Sequence, residues 1–185
     1  MWRLPIAYGL FVAGVCSAIV TTLEPGAEEV RAVIRATAFT SSVPFLLLYL
    51  AAPLHRLQPS AATRWLLANR RYLGLSVAAS HLWHLIAILV VVNVYATAPV
   101  ARVTLVFGTA GFVLLGLMPA TSTDGAQRAL GRGWHWLHRI GLHVLWLDFV
   151  FTYMGTALVA PFHAIMTVAF LAVWSLRIIA WVSAR

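Results

Sequence analysis

The sequence has very little charge for its length, and the charge that it has is mostly of one sign. Only 10% of the 185 residues are charged while 62% are apolar, and five acidic residues stand against thirteen basic ones. A water-soluble domain draws about a quarter of its residues from the charged types. So little charge cannot cover a water-facing surface, which excludes a soluble domain and indicates that lipid is the surrounding solvent.

Lysine is absent and cysteine is nearly so. The single cysteine, Cys16, excludes an internal disulfide and any CxxC redox or zinc motif. It lies within an apolar run, where we interpret it as a packed and inert thiol. No GxGxxG fingerprint occurs, so nothing in the sequence predicts NAD(P)H binding. A basic complement of arginine alone is typical of a GC-rich bacterial genome, which favours the inner membrane as the location.

Six long apolar runs predict six transmembrane helices in a single domain over residues 1–185. About 20 apolar residues cross the hydrocarbon core as a helix, and these runs are too long and too uniformly apolar for barrel strands. Backbone polar groups in lipid must be satisfied within the element, which also requires helix. The predicted fold is an all-α integral membrane bundle of six helices, with spans at about residues 4–23, 33–54, 72–95, 103–118, 134–153 and 161–181.

Arginine is distributed unevenly among the predicted loops and predicts an orientation. The loops after the second and fourth spans are rich in arginine, whereas the opposite side carries few arginines and three glutamates. By the positive-inside rule, both termini and these two loops are cytoplasmic. A basic face beside anionic lipid then accounts for the net charge of +8 without a nucleic-acid partner. The arginines on this side are Arg3, Arg56, Arg64, Arg70, Arg71, Arg128, Arg132, Arg139 and Arg185.

Histidine is the polar residue that stands out within the spans. Polar side chains at membrane depth are costly and point to function. Neutral imidazole ligates haem iron, and two histidines from neighbouring helices make a six-coordinate electron-transfer site. A lone histidine would more simply be a hydrogen-bonded interior group, but two groups on two parallel spans favour haem. Zinc is less favoured, because no cysteine or carboxylate cluster completes a site. The histidines in or beside spans are His81, His84, His135, His138, His143 and His163.

Two segments carry a resemblance to a known family. Residues 70–75 read RRYLGL and are followed by SHLWHL at residues 80–85, while residues 121–139 read TSTDGAQRALGRGWHWLHR. They resemble the third span, and the fourth loop with the fifth span, of ferric-reductase-like transmembrane domains. The resemblance is closest to the membrane haem b subunit of the bacterial periplasmic methionine-sulfoxide reductase system. It covers spans three to six, and the first two spans only by topology.

The resemblance implies a b-type haem ligated by histidines of the third and fifth spans. His84 occupies the third-span ligand position, and His138 the first position of the fifth span. The family usually has another histidine thirteen residues after that position, where this chain has Phe151. The resemblance also implies electrons from a cytoplasmic flavin reductase and a periplasmic acceptor, either a reductase partner or a metal ion. Because the chain ends at Arg185 after the sixth span, we expect the flavin on a separate protein.

Helix geometry argues against a simple pairing of these ligands. At 1.5 Å per residue, His84 lies about 20 Å from the cytoplasmic end of its span and His138 only about 6 Å from that of the fifth span. Axial ligands of one haem need nearly equal depths, so these two do not easily share an iron. His81 and His143 match better, at about 15 and 13 Å.

Three arrangements remain open from the sequence. His84 or His81 pairs with His143, or a haem is held by His84 alone or with His163, or the chain has lost haem and kept the fold. The candidate metal ligands are therefore His84, His138 and His143, with His81 as a further cofactor-binding candidate.

Other polar side chains in or near the spans have two interpretations each. Asp148 is the only acidic residue inside a predicted span and must be paired or protonated. It either orients a ligand histidine or hydrogen-bonds a neighbouring helix. Arg70 and Arg71 could pair with haem propionates, although the positive-inside role is the simpler interpretation.

The leading hypothesis is a haem b-containing membrane electron-transfer protein, with its status as an enzyme left open. The alternative is a haem-free membrane scaffold or partner-binding subunit of the same fold, which Phe151 favours and the retained histidines oppose. A small transporter or proton-conducting protein built on Asp148 and the histidines is a third possibility. The sequence lacks the inverted repeats and broken helices typical of transporters.

Overall fold

The computed structural model describes residues 3–95 and 102–183, and within these ranges every regular element is an α-helix. This confirms the all-α prediction, since long apolar runs satisfy their backbone groups locally only as helices. The helices are α1 (Arg3–Thr22), α2 (Ala27–Leu57), α3 (Ala61–Ala68), α4 (Arg70–Tyr95), α5 (Arg102–Ala120), α6 (Asp124–Leu130), α7 (Arg132–Met154) and α8 (Pro161–Val182).

Four of the described helices are long and apolar enough to cross a membrane, namely α1, α2, α4 and α8. The helices α5 and α6 form a further candidate as one span bent by 107°. Large apolar side chains are exposed along these helices, among them Leu10, Leu89 and Ile178. Surfaces of this kind contact lipid, so the membrane character predicted from composition is confirmed at the level of four to five candidate spans.

The helix α7 covers the predicted fifth span but is not among these candidates. Polar side chains, among them His138, Arg139, His143 and Asp148, interrupt its apolar sequence. The six-span count therefore stays a prediction, which depends on whether α5 and α6 form one span and on whether α7 crosses the bilayer.

Helix boundaries differ from the predicted spans mainly at the polar ends. The second helix has 31 residues, with acidic residues in its first turn and basic residues in its last, both favourable to the helix dipole. The predicted loop after it contains α3. This helix begins with a capping box formed by Ser60 and Thr63. The predicted loop between the fourth and fifth spans contains α6, whose N-cap is Thr123. Gly131, with φ of 48°, ends α6 and begins α7.

The chain divides into two compact units, each made of two segments. Unit 1 comprises Met1–Phe45 and Arg71–Thr104, and unit 2 comprises Leu46–Arg70 and Leu105–Arg185. A single domain over residues 1–185 stays a prediction.

An apolar cluster from three helices forms the core of unit 1. Val12 and Cys16 of α1 pack with Val33 of α2 and Ala87 of α4. The thiol of Cys16 is buried and forms no disulfide. This environment agrees with a packing role for the cysteine.

Aromatic side chains join α7 to α8 in unit 2. The rings of Trp146 and Trp174 stack with centroids 4.6 Å apart, and those of Phe149 and Phe170 with centroids 5.1 Å apart. The indole Nε1 of Trp146 also donates to the carbonyl of Phe170 at 3.0 Å. These contacts fix the rotation of α7, and with it the positions of the histidines that it carries.

Candidate functional site

His84 lies on α4, and its ring is held against α2 within unit 1. Its Nδ1 lies 3.1 Å from the carbonyl oxygen of Ile34 and 3.0 Å from Oγ1 of Thr37. A carbonyl oxygen can only accept a hydrogen bond, so Nδ1 carries the proton and Nε2 carries the lone pair. Histidines that bind metals through Nε2 have the same arrangement, with Nδ1–H donated to a carbonyl or carboxylate.

Buried hydroxyl groups surround this anchored histidine between α2 and α4. The Oγ of Ser80 lies 2.8 Å from Oγ1 of Thr40 and 2.9 Å from Oγ of Ser41, and it donates to the carbonyl of Thr37 at 3.2 Å. All four of these residues are buried. Such bonds between helices in lipid fix their separation and rotation. The position of His84 relative to α2 is thereby determined.

This hydroxyl cluster was not predicted from the sequence, although a signal for it was present. Thr37, Thr40 and Ser41 occur at helical spacing in an otherwise apolar run, which places them on one face of α2. Polar residues that share a face of an apolar helix predict an interhelical contact. Their partner Ser80 could not be identified, because pairing two helices requires their relative rotation.

His81 lies one turn before His84 on α4. The two ring centroids are 5.5 Å apart, and His81 is buried. Axial ligands approach a haem iron from opposite sides of the ring plane, whereas these two side chains project from the same side of one helix. The structure therefore brings His81 and His84 together, but not as an axial pair.

His143 lies on α7 in unit 2 and is anchored by a tyrosine. Its Nδ1 is 2.9 Å from the hydroxyl of Tyr49, a residue that is only 1% exposed. Trp174 packs edge-on against the imidazole at 5.7 Å. The guanidinium carbon of Arg177 lies 4.8 Å from the centre of the Tyr49 ring. Because Nδ1 is engaged by the phenol, Nε2 is the nitrogen through which His143 would bind a metal.

His138 has a different environment from His84 and His143. Its ring stacks on Trp134 with centroids 4.1 Å apart, and its Nε2 lies 3.3 Å from Oγ1 of Thr121. The indole of Trp134 donates to the carbonyl of Thr121 at 2.9 Å. These contacts tie the start of α7 to the end of α5 and use the nitrogen that usually binds iron. Within unit 2 the geometry therefore favours His143 over His138 as a ligand.

Phe151, at the position where the family usually has histidine, makes an apolar contact. Its ring packs against Phe107 at 5.6 Å, and the side chain is 49% exposed. His163, at the start of α8, packs beside Tyr153 at 5.5 Å. Its buried Nδ1 has no hydrogen-bond partner among residues 3–95 and 102–183. His163 thus remains a candidate ligand of unit 2, whereas position 151 offers none.

Asp148 contacts a neighbouring helix and not a histidine. A methyl group at Gly111 of α5 would lie 3.0 Å from the Asp148 Oδ2, so the glycine makes room for the carboxyl group. In the part of the chain that the structure describes, Asp148 makes no hydrogen bond to any histidine. The predicted hydrogen bond to a neighbouring helix is likewise not present among residues 3–95 and 102–183, where the carboxyl group only packs against Gly111.

Positive charge collects near His143 without a carboxylate to balance it. Arg70 and Arg177 interact electrostatically with each other, and Arg177 and Arg139 both interact with His143. No carboxylate among the described residues pairs with any of the three arginines. Like charges repel one another, so the pair Arg70 and Arg177 favours an anion beside it.

No set of three or more histidine, cysteine or acidic side chains within the described ranges is arranged to hold a metal ion. A histidine-ligated haem does not need such a set, because the porphyrin supplies the equatorial nitrogens. Comparison with protein-family models, with curated proteins and with solved structures finds no match to this chain. The family resemblance therefore rests on residues 70–85 and 121–139 alone.

Proposed function

We propose that this chain is a membrane electron-transfer protein that binds b-type haem. The proposal rests above all on the anchoring of His84, whose Nδ1–H is donated to the Ile34 carbonyl inside an apolar helix. This hydrogen bond leaves the lone pair on Nε2, as an iron ligand requires. His84 is the candidate ligand of unit 1, and His143 is the better candidate of unit 2. When bound, the haem supplies a one-electron redox centre.

The uncompensated arginines of unit 2 support the same cofactor. A haem carries two propionates, and guanidinium groups bind carboxylates through paired, charge-assisted hydrogen bonds. Arg70 and Arg177 interact electrostatically, and neither has a carboxylate partner in the described ranges. We assign them the role of propionate partners, in addition to the topogenic role that Arg70 has by its position.

The proposed architecture has six spans, with α7 as the fifth. Its polar side chains lower its apolar content, but polar side chains at membrane depth are what a cofactor site requires. Both termini lie in the cytoplasm, and the membrane is the bacterial inner membrane. Electrons enter from a separate cytoplasmic flavin reductase and leave to a periplasmic reductase partner or a metal ion.

A haem-free scaffold of the same fold is the second candidate, and Phe151 favours it. An apolar ring packed on Phe107 stands where a ligand is expected. Hydrogen-bonded histidines would then serve only to hold helices together, as the His138 contact with Thr121 does.

The test is a reduced-minus-oxidised optical spectrum of the purified protein, with pyridine haemochrome quantitation. We expect a b-type spectrum that is lost or weakened in His84→Ala and His143→Ala and retained in His138→Ala. His55→Ala is the matched control, because the His55 Nδ1 also contacts a hydroxyl group, that of Thr63 at 2.8 Å. It lies in the last turn of α2, away from the predicted depth of the haem.

Two results would change the proposal. Absence of haem in protein produced with excess haem precursor would reject the electron carrier and leave the scaffold. A spectrum that survives His143→Ala but disappears with His138→Ala would return the unit 2 ligand to the position that the resemblance implies.

A further inference from the structure

The first two turns of α7 carry a small basic pocket that the proposed haem site does not use. The pocket has a volume of about 170 Å³ and is lined by Arg132, His135, Trp136 and Arg139. The spacing of these residues, i, i+3, i+4 and i+7, places them on one face of the helix. All four side chains are exposed, so a ligand can reach them from outside the protein.

The pocket has the charge of an anion site. Neither arginine has a carboxylate partner among residues 3–95 and 102–183. The guanidinium carbon of Arg139 lies 5.9 Å from the centre of the Trp136 ring, which keeps these two side chains together at the pocket. Two guanidinium groups offer forked N–H donors that match the oxygens of a phosphate. The imidazole of His135 adds a further hydrogen-bonding group.

The surface next to the pocket is apolar, which indicates where the phosphate comes from. Trp136 is 60% exposed and Ile140, one turn further along α7, is 53% exposed. Exposed tryptophan beside arginine is typical of the membrane–water interface. From Arg132 to Arg139 the helix rises about 10 Å, which is enough to cross the headgroup layer of about 5–7 Å on one side of a bilayer. A free phosphate would make no use of the apolar surface, whereas a lipid would cover it.

We propose that this pocket binds the headgroup phosphate of an anionic phospholipid, whose acyl chains lie along Trp136 and Ile140. Basic pockets at the cytoplasmic ends of transmembrane helices attract such lipids. The proposal requires only that α7 meets the bilayer surface at its start. It does not depend on haem, so the two proposals can fail separately.

The experiment measures lipid binding by native mass spectrometry of protein released from nanodiscs. The nanodiscs contain phosphatidylcholine with about one-fifth phosphatidylglycerol, a composition that supplies anionic headgroups. We expect wild-type protein to retain phosphatidylglycerol in preference to phosphatidylcholine. The double variant Arg132→Gln/Arg139→Gln should lose about 10- to 30-fold in apparent affinity for phosphatidylglycerol.

The control removes the same amount of charge outside the pocket. Arg64→Gln/Arg128→Gln replaces two exposed arginines of the other predicted cytoplasmic segments, in α3 and α6. Only the general attraction of a basic surface is then reduced, so we expect a loss of less than about threefold.

Several outcomes would overturn the proposal. Equal losses in the two double variants would show that diffuse surface charge, and not the pocket, holds the lipid. Wild-type protein without a preference for phosphatidylglycerol would reject the site without any variant. Inorganic phosphate that binds lipid-free protein in detergent as tightly as the lipid binds would make this a free-phosphate site.

Discussion

At the scale of the residue, one backbone carbonyl determines the chemistry of His84. The carbonyl of Ile34 can only accept, so it selects the tautomer in which Nε2 holds the lone pair. The sequence could identify His84 as a candidate ligand but could not give its tautomer. That depends on a residue 50 positions away in the chain, brought close by the pairing of α2 with α4.

Thr37→Val tests the surroundings of His84. The substitution removes the hydroxyl group 3.0 Å from Nδ1 and keeps the size of the side chain. Outer hydrogen bonds to ligating histidines contribute about 10- to 100-fold in affinity, so we expect haem affinity to fall by at least about tenfold. Titration of the haem-free protein with haem measures this. Thr63→Val, which removes the hydroxyl group next to His55, should leave haem affinity unchanged.

Tyr49→Phe tests His143 in the same way. The ring and its contact with Arg177 remain, and only the hydroxyl group 2.9 Å from Nδ1 is lost. If His143 binds iron, haem affinity should fall by about tenfold or more and the reduced spectrum should change. Haem titration and the optical spectrum are the measurements. Unchanged affinity, in a variant destabilised by only about 1 kcal/mol, would exclude His143 as a ligand.

At the scale of the element, hydrogen bonds between helices determine how α2 and α4 pair. Ser80 and Ser76 provide a matched comparison on α4, since both are buried. Ser80 bonds to hydroxyl groups of α2, whereas Ser76 donates to Tyr72 of its own helix. We expect Ser80→Ala to lower the free energy of unfolding by about 1 kcal/mol more than Ser76→Ala does. Thermal unfolding in detergent measures the difference, and equal losses would contradict the interhelical role.

The corner between α6 and α7 gives a second comparison. Here two glycine-to-alanine substitutions should change the free energy of unfolding in opposite directions. Nothing lies within 4 Å of a methyl group added at either Gly131 or Gly133, so neither change meets a steric clash. Gly131 has φ of 48°, where a side chain is strained, and Gly131→Ala should destabilise the protein by about 1–2 kcal/mol. Gly133 lies in α7, and Gly133→Ala should stabilise it by up to about 1 kcal/mol. Chemical denaturation in detergent measures both changes. If both substitutions destabilised the protein, or both stabilised it, the conformational explanation would be refuted.

The sequence predicted helices well but their ends poorly. Apolar runs revealed where each long helix lies, because lipid requires local satisfaction of the backbone. The short helices α3 and α6 were missed, although Ser60 and Thr123 are capping residues that could have indicated them. That Phe151 stands where the resembled family usually has histidine was visible in the sequence. Its contact with Phe107 could not be predicted, because it depends on how α5 packs on α7.

At the scale of the whole molecule, composition was enough to assign the class but not to count the spans. Scarcity of charge predicts lipid contact for the chain as a whole, and exposed apolar side chains confirm it. The number of spans depends on the bent pair α5–α6 and on α7, where polar side chains offset the apolar signal. Polar groups at membrane depth lower the mean hydropathy of a helix, so a span that carries them is hard to recognise from its apolar content.

Labelling of single cysteines decides whether α7 crosses the bilayer. In a Cys16→Ala background, we expect Leu158→Cys to react with a membrane-impermeant maleimide added to intact cells stripped of their outer membrane. Leu158 is fully exposed after the end of α7. Arg128→Cys, before the start of α7, should react only after the membrane is permeabilised. Equal reactivity at both positions without permeabilisation would place both ends of α7 on the same side.

The division of the chain into two interleaved units has a consequence for its synthesis. Every contact described for His84 lies between residues 34 and 84, within unit 1, whose second segment ends at Thr104. The ribosome therefore delivers the described hydrogen-bond partners of His84 before it has translated α7 or α8. The surroundings of His143 extend from Tyr49 to Arg177, so Tyr49 must wait for nearly the whole chain to be made. The described partners of His84 are thus available early in biogenesis, whereas those of His143 are brought together only after α8 has been made.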